Sequence, residues 1–158
     1  IKKRARDLGL DEVFGNPIQK EAWQHANPLC LAVHTDSKQL ATLRIYFDAG
    51  TDDLLACHGL LLGTPENFGY MSGALKDFFD RTYYPCEGKL IGLPYAVFVS
   101  CGNDGRGAVR EIARIAAGYG WKEVAEALIA RKEITPEHLE AAEDLGEAMA
   151  AGLEMGIF

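Results

Sequence analysis

Three apolar runs set the frame of this chain: Leu29-Cys30-Leu31-Ala32-Val33, Leu60-Leu61-Leu62-Gly63 and Tyr95-Ala96-Val97-Phe98-Val99. None alternates with polar residues, so each predicts a central strand covered on both faces, as in a parallel sheet. Arg44-Ile45-Tyr46-Phe47 predicts a fourth strand, and Trp121 to Ile129 contains the last one, at an edge. Between the strands the apolar period lengthens to that of a helix. From about Met71 to Tyr83, residues Leu75, Phe78, Phe79 and Thr82 share one face. From Val109 to Tyr119, residues Val109, Ile112, Ala113 and Ala116 do the same, and Gly118 and Gly120 end that helix. Ile134-Thr135-Pro136 gives a cap and a first-turn proline to a last helix, which runs to about Met149 or further. Strands alternating with helices predict an α/β three-layer sandwich, a parallel five-stranded sheet with helices on both faces.

The alternation is irregular in places. A crossover between parallel strands needs a dozen residues or more, yet Thr35 to Leu43 holds at most a fragment of helix, at Gln39 to Leu43. Either that crossover is unusually short or part of it is absent from the sequence. Thr51 to Cys57 reads as a capped helical turn. Residues 1–28 read as an N-terminal extension. Its two helical stretches, Ala5 to Phe14 and Ile18 to His25, are broken by Gly15-Asn16-Pro17 and closed by Asn27-Pro28. The domain proper is then 29–158. At its end Leu153, Met155, Ile157 and Phe158 form an apolar tail, either docked on the domain or a dimer contact.

Composition narrows the class. A chain of 158 residues, 48% hydrophobic and 25% charged, fits one globular domain with a real core. Its net charge of −7 speaks against nucleic acid or an anionic membrane as partner. No apolar run is long enough for membrane insertion. The basic start, Ile1-Lys2-Lys3-Arg4-Ala5-Arg6, lacks the apolar core of a signal peptide. The chain does not begin with Met, so residues can precede Ile1. Cys30, Cys57, Cys86 and Cys101 are scattered, with no CxxC pair. That fits reduced thiols in a cytoplasm better than disulfides or a zinc site.

The candidate chemistry lies where apolar runs end, since ligands of open α/β sheets bind off the C-terminal ends of strands. After Gly63 comes Thr64-Pro65-Glu66-Asn67-Phe68-Gly69. Pro65 stiffens the turn, and Thr64, Glu66 and Asn67 offer hydrogen-bonding groups. Phe68 offers an aromatic face, and Gly69 a close backbone approach. Together they suit a flat, polar, aromatic ligand. After Val99 comes Ser100-Cys101-Gly102-Asn103-Asp104-Gly105-Arg106-Gly107, whose glycines let backbone N–H groups turn inward. Arg106 can neutralise a phosphate of a pyridine nucleotide, or simply sit on the surface. Cys101 has no histidine nearby in sequence to activate it and reads as a small loop residue. After Val33, Thr35, Ser37 and Lys38 stand where a phosphate-binding turn would be, without a glycine. Tyr83 and Tyr84 either cover a ligand or an interface, or divide between core and surface. No catalytic side chain and no metal-ligating set stands out.

The run Gly63-Thr64-Pro65-Glu66-Asn67-Phe68-Gly69-Tyr70-Met71-Ser72-Gly73 resembles the motif of the flavodoxin-like NAD(P)H-dependent FMN reductases. It is similar too to that of the related tryptophan-repressor-binding-protein-like quinone reductases. In both, a G-T-P-x-x-F-G-x-M-[SA]-G run borders the isoalloxazine ring, and Ser100 to Gly105 occupies the place of the second flavin loop. The resemblance implies FMN as cofactor and NAD(P)H as co-substrate. It implies that Thr64, Pro65, Glu66, Asn67, Phe68 and Gly69 hold the ring and its polar edge. Ser100, Gly102, Asn103, Asp104 and Gly105 would cover the other side, with Thr35, Ser37 and Lys38 at the phosphate. The implied reaction is hydride transfer from NAD(P)H to FMN N5, then reduction of a quinone or other small-molecule electron acceptor, with no catalytic side chain required. Backbone N–H groups of the two loops would stabilise the anionic reduced flavin. Members are often dimeric or tetrameric, so a homodimer or homotetramer is expected, with Tyr83, Tyr84 and the apolar tail as candidate contacts. Two alternatives stay open: a flavodoxin-type electron carrier, and a flavodoxin-like module that has lost FMN binding.

Overall fold

In a computed structural model the described residues are the backbone of 29–35 and 41–46, and all of 49–158. The extension expected at 1–28 lies outside them. The strands are β1 (Leu29–Thr35), β2 (Ala41–Tyr46), β3 (Gly59–Asn67), β4 (Tyr70–Met71), β5 (Pro94–Cys101), β6 (Lys122–Glu123) and β7 (Leu128–Arg131). The helices are α1 (Thr51–Ala56), α2 (Gly73–Cys86), α3 (Arg106–Tyr119) and α4 (Pro136–Glu154). Across the sheet the order is β2-β1-β3-β5-β6. β7 takes the same edge of β5 further along, so β6 and β7 share the fifth position. The single strand expected within 121–129 is thus two short ones.

The sheet is mixed rather than parallel throughout. β3, β5, β6 and β7 run parallel, but β1 is antiparallel to both β2 and β3. The β1–β2 register, from Cys30↔Tyr46 to Thr35↔Ala41, explains the short connection. Antiparallel neighbours can be joined by a few residues, so no crossover helix is needed. The helix fragment expected at Gln39 to Leu43 is strand from Ala41 onward.

Strand side chains alternate between two buried faces. Leu60, Leu62, Tyr95, Val97 and Val99 share a core with Leu54, Leu75, Phe78, Phe79, Ile112 and Tyr119 of α1, α2 and α3. Leu61, Ala96 and Phe98 point the other way, to Met149, Leu145 and Leu153 of α4 and to Phe158. Phe158 folds back onto Gly152, so part of the apolar tail is docked, while Met155 and Ile157 are exposed. The paired tyrosines divide in the same way. Tyr83 packs edge-on against Tyr119 at 5.0 Å, whereas Tyr84 is exposed. Two buried hydroxyls are bonded to each other and to the helix: Thr82 Oγ1 lies 2.8 Å from the Tyr119 hydroxyl, which donates to the Phe79 carbonyl at 2.9 Å, whereas the buried Trp121 Nε1 has no partner among the described residues. Burial pushes the Tyr119 hydroxyl up to about 12, so it stays a neutral donor. No helix among the described residues is long and apolar enough to cross a membrane.

Gly63 is paired across β3 and β5 with Phe98, and a Cβ on Gly63 would clash with the tip of the Phe98 ring. We predict that Gly63→Ala destabilises the fold by about 1–3 kcal/mol through forced repacking. The check is a lowered urea midpoint at unchanged m-value.

Candidate functional site

The C-terminal ends of β3 and β5 lie side by side, with Pro65 paired to Ser100. Two loops leave from this point. The first is a tight hairpin in which Glu66 pairs with Met71 and Asn67 with Tyr70. The two residues between, Phe68 and Gly69, have φ of 53° and 75°. Two left-handed residues match the twist of a two-residue hairpin, where Asn or Gly is the usual choice. A phenylalanine there carries about 1–2 kcal/mol of steric cost, and its ring is fully exposed.

Polar side chains below the tip hold the hairpin in place. Thr64 is buried; its hydroxyl accepts the Ser72 N–H at 2.9 Å and donates to the Pro65 carbonyl at 2.9 Å. Ser72 in turn caps α2, its Oγ accepting the Leu75 N–H at 3.3 Å. The Thr64 hydroxyl, expected at the ligand, is therefore taken up by the turn itself.

Glu66 is occupied as well, and in a way sequence spacing did not suggest. Gly105 sits at the N-cap of α3, where it has no side chain to accept the first amides of the helix. Asp104 Oδ1 accepts the Arg106 N–H at 3.2 Å, and Glu66 takes the neighbouring amides across the fold. Its Oε2 accepts the Gly105 N–H at 3.2 Å, and its Oε1 accepts the N–H groups of Gly107 and Ala108 at 3.0 and 3.2 Å. A carboxylate on a helix N-terminus is favoured by the helix dipole, and bonds to an ionised acceptor are the stronger kind. The approach is close: a Cβ on Gly107 would meet the Gly69 carbonyl carbon at 2.6 Å, and its oxygen closer still. Gly105, at φ 71°, has no room either, with Ile129 Cγ2 at 2.6 Å from a would-be Cβ.

What remains open to a ligand is narrower than the sequence list. Asn67, Phe68 and Gly69 on one loop, and Gly102, Asn103 and Asp104 on the other, are exposed. At Gly69 and Gly102 the position of a Cβ meets nothing within 4 Å. Ser100 is half-buried. Cys101 is buried, and burial followed by the charge of Glu66 pushes its thiol up, the opposite of what a nucleophile needs. Six of the residues expected on the ring side thus lie exposed on two loops that leave adjacent strand ends.

The phosphate side does not come together. Thr35 is the last residue of β1, and the β1–β3 register runs from Leu29↔Gly63 to Val33↔Gly59. Because the strands are antiparallel, Thr35 lies past the start of β3, roughly 20 Å along the strand from Thr64 at 3.3 Å per residue. Ser37 and Lys38 lie outside the described residues.

The family model for the NADPH-dependent FMN reductases matches residues 25–135, and the chain belongs to that family. A curated relative, an NAD(P)H dehydrogenase (quinone) from Acidithiobacillus ferrooxidans, is 41% identical over 70 residues. That stretch is 44% of this chain and 32% of the relative, so the chain spans about a third of the relative it matches. Among solved structures, an archaeal flavodoxin superposes with a TM-score of 0.61 at 22% identity, over 68% of this chain and 73% of its own. A flavodoxin, WrbA-like protein from Agrobacterium tumefaciens gives 0.60 at 21%, over 78% and 80%. These likenesses establish a flavodoxin-like fold. FMN is the cofactor of the family, with NAD(P)H as electron donor.

We predict that Phe68→Gly raises stability by about 1 kcal/mol, because glycine adopts the left-handed turn without strain. If the Phe68 ring packs on the flavin, the same change weakens FMN binding about two- to tenfold. Urea unfolding and a fluorescence titration with FMN read the two effects separately.

Proposed function

We propose that this chain is an FMN-dependent oxidoreductase that passes electrons from NAD(P)H to a quinone or similar small-molecule acceptor. The observation that carries this reading is the pair of exposed loops leaving Pro65 and Ser100, fastened together and facing open space at Gly69 and Gly102. Membership of the FMN reductase family and the printed activity of the Acidithiobacillus relative support it. Bound FMN would supply the chemistry, accepting a hydride and handing electrons on. The protein's own residues bind and orient. Asn67, Phe68 and Gly69 would border one side of the ring, and Gly102, Asn103 and Asp104 the other, through backbone N–H groups as much as side chains. No side-chain acid or base is assigned.

Arg106, in the first turn of α3, is exposed and begins a line with Arg110 and Arg114 at intervals of four residues. Such spacing puts them on one helix face. Arg110 and Arg114 pair with Glu111, and Arg106 stands nearest the loops. In this reading Arg106 meets a phosphate of the pyridine nucleotide. A cytoplasmic location and a homodimer or homotetramer belong to the same proposal. The buried free thiols of Cys57, Cys86 and Cys101 suit a reducing compartment, and exposed Tyr84 and Ile91 offer an apolar contact.

Two measurements test the proposal. Purified protein titrated with FMN should turn yellow with one flavin per chain, and the loaded protein should oxidise NADPH or NADH in the presence of a quinone. A loaded protein that oxidises neither nucleotide would be an electron carrier instead. Arg106→Ala should raise the KM for the nucleotide about three- to tenfold at little-changed kcat, as expected for one exposed charge contact of ~1 kcal/mol.

A further inference from the structure

We propose that Glu66 is a positioning residue: its carboxylate locks the two ligand loops into one unit, and FMN binding draws on that lock. The second half rests on the flavin reading above; the first stands on geometry alone. Glu66 reaches from the β3–β4 hairpin to amides 39, 41 and 42 residues away. It uses both oxygens, one toward Gly105 and the other toward Gly107 and Ala108. α3 has no side-chain cap at Gly105 itself; Asp104 Oδ1 accepts the Arg106 N–H at 3.2 Å, and the Glu66 carboxylate takes the amides of Gly105, Gly107 and Ala108. The close passage of Gly69 over Gly107 fixes the depth at which the hairpin sits on the helix. The exposed tips, Phe68–Gly69 and Gly102–Asp104, each adjoin a residue of the lock in the chain, Glu66 by way of Asn67 on one loop and Gly105 on the other, so the lock holds their separation. A flat ligand held between them meets a pre-formed slot instead of two loops to be ordered on binding, which is how preorganisation raises affinity.

The two-sided use of the carboxylate predicts a pattern that depends on the substituent. In Glu66→Gln one oxygen becomes an NH₂ group, which cannot accept from an N–H. The remaining oxygen serves the Gly107 and Ala108 amides, and the Gly105 amide loses its acceptor. Glu66→Ala frees all three. Amide hydrogen exchange by NMR on the FMN-free protein reads this directly. The expected result is loss of protection at Gly105 alone in the Gln variant, and at Gly105, Gly107 and Ala108 in the Ala variant. Val97 in β5 and Ile112 further along α3 should keep theirs in both. In parallel, the Kd for FMN should rise about tenfold to a hundredfold in Glu66→Ala and by a smaller factor in Glu66→Gln. Unchanged protection of the three amides in Glu66→Ala would overturn the lock. So would an equal loss at Val97 and Ile112, which would make Glu66 a general stability residue. Lost protection with unchanged FMN affinity would overturn its part in binding. If the unaltered protein takes up no FMN, the functional reading falls, and the amide pattern alone decides the lock.

Discussion

Parallel pairing of β3 with β5, from Leu60↔Tyr95 to Pro65↔Ser100, is the constraint on which the rest of the molecule depends. It is buried on both faces, so every residue along it must satisfy one core or the other. Leu62 and Val97 serve the side of α2 and α3, and Leu61 and Phe98 the side of α4. Gly63 is the point where the arrangement is tightest, because the Phe98 ring occupies the space that any other residue would need. The same register that seats Phe98 on Gly63 brings Pro65 beside Ser100 two residues later. The two loops therefore start together as a consequence of core packing, not of any contact between the loops.

Past that point polar chemistry takes over from apolar burial. Thr64, Ser72 and Glu66 are residue types one would assign to a ligand, yet the structure uses each to close a turn or cap a helix. Capping and turn bonds are individually modest, on the order of 1 kcal/mol, but these are connected in sequence. Thr64 holds Ser72, Ser72 starts α2, and Glu66 starts α3. The residues left exposed are Asn67, Phe68 and Gly69 on one loop and Gly102, Asn103 and Asp104 on the other. That division suits a protein whose cofactor brings the reactivity, since what is asked of the chain is a fixed shape.

Much of the fold was legible in the order of residues. Uninterrupted apolar runs located the cores of β1, β3 and β5, and 3.6-residue spacing located α2 and α3, because burial imposes those periods locally. The loops after Gly63 and Val99 could be singled out because glycine, proline and small polar residues at strand ends have few other uses. Strand direction was not legible. An apolar run is the same whether its neighbour is parallel or antiparallel, and the short link after Thr35, which reads as a short or incomplete crossover, joins strands that pair antiparallel. That reversal moved Thr35 to the far end of the sheet, where no local reading could have put it.

The sequence by itself determined which segments are buried and, to within a few residues, where α2 and α3 lie. Those properties follow from side-chain type and near-neighbour spacing. Only the tertiary structure decided that Glu66 faces the first amides of α3, that Gly107 must be glycine because the Gly69 carbonyl lies against it, and that Thr64 is turned inward. The first two rest on partners brought together by the β3–β5 register, up to 42 residues apart in the chain, and spacing along a sequence has no knowledge of such distances; Thr64 turns inward to the Ser72 amide eight residues on.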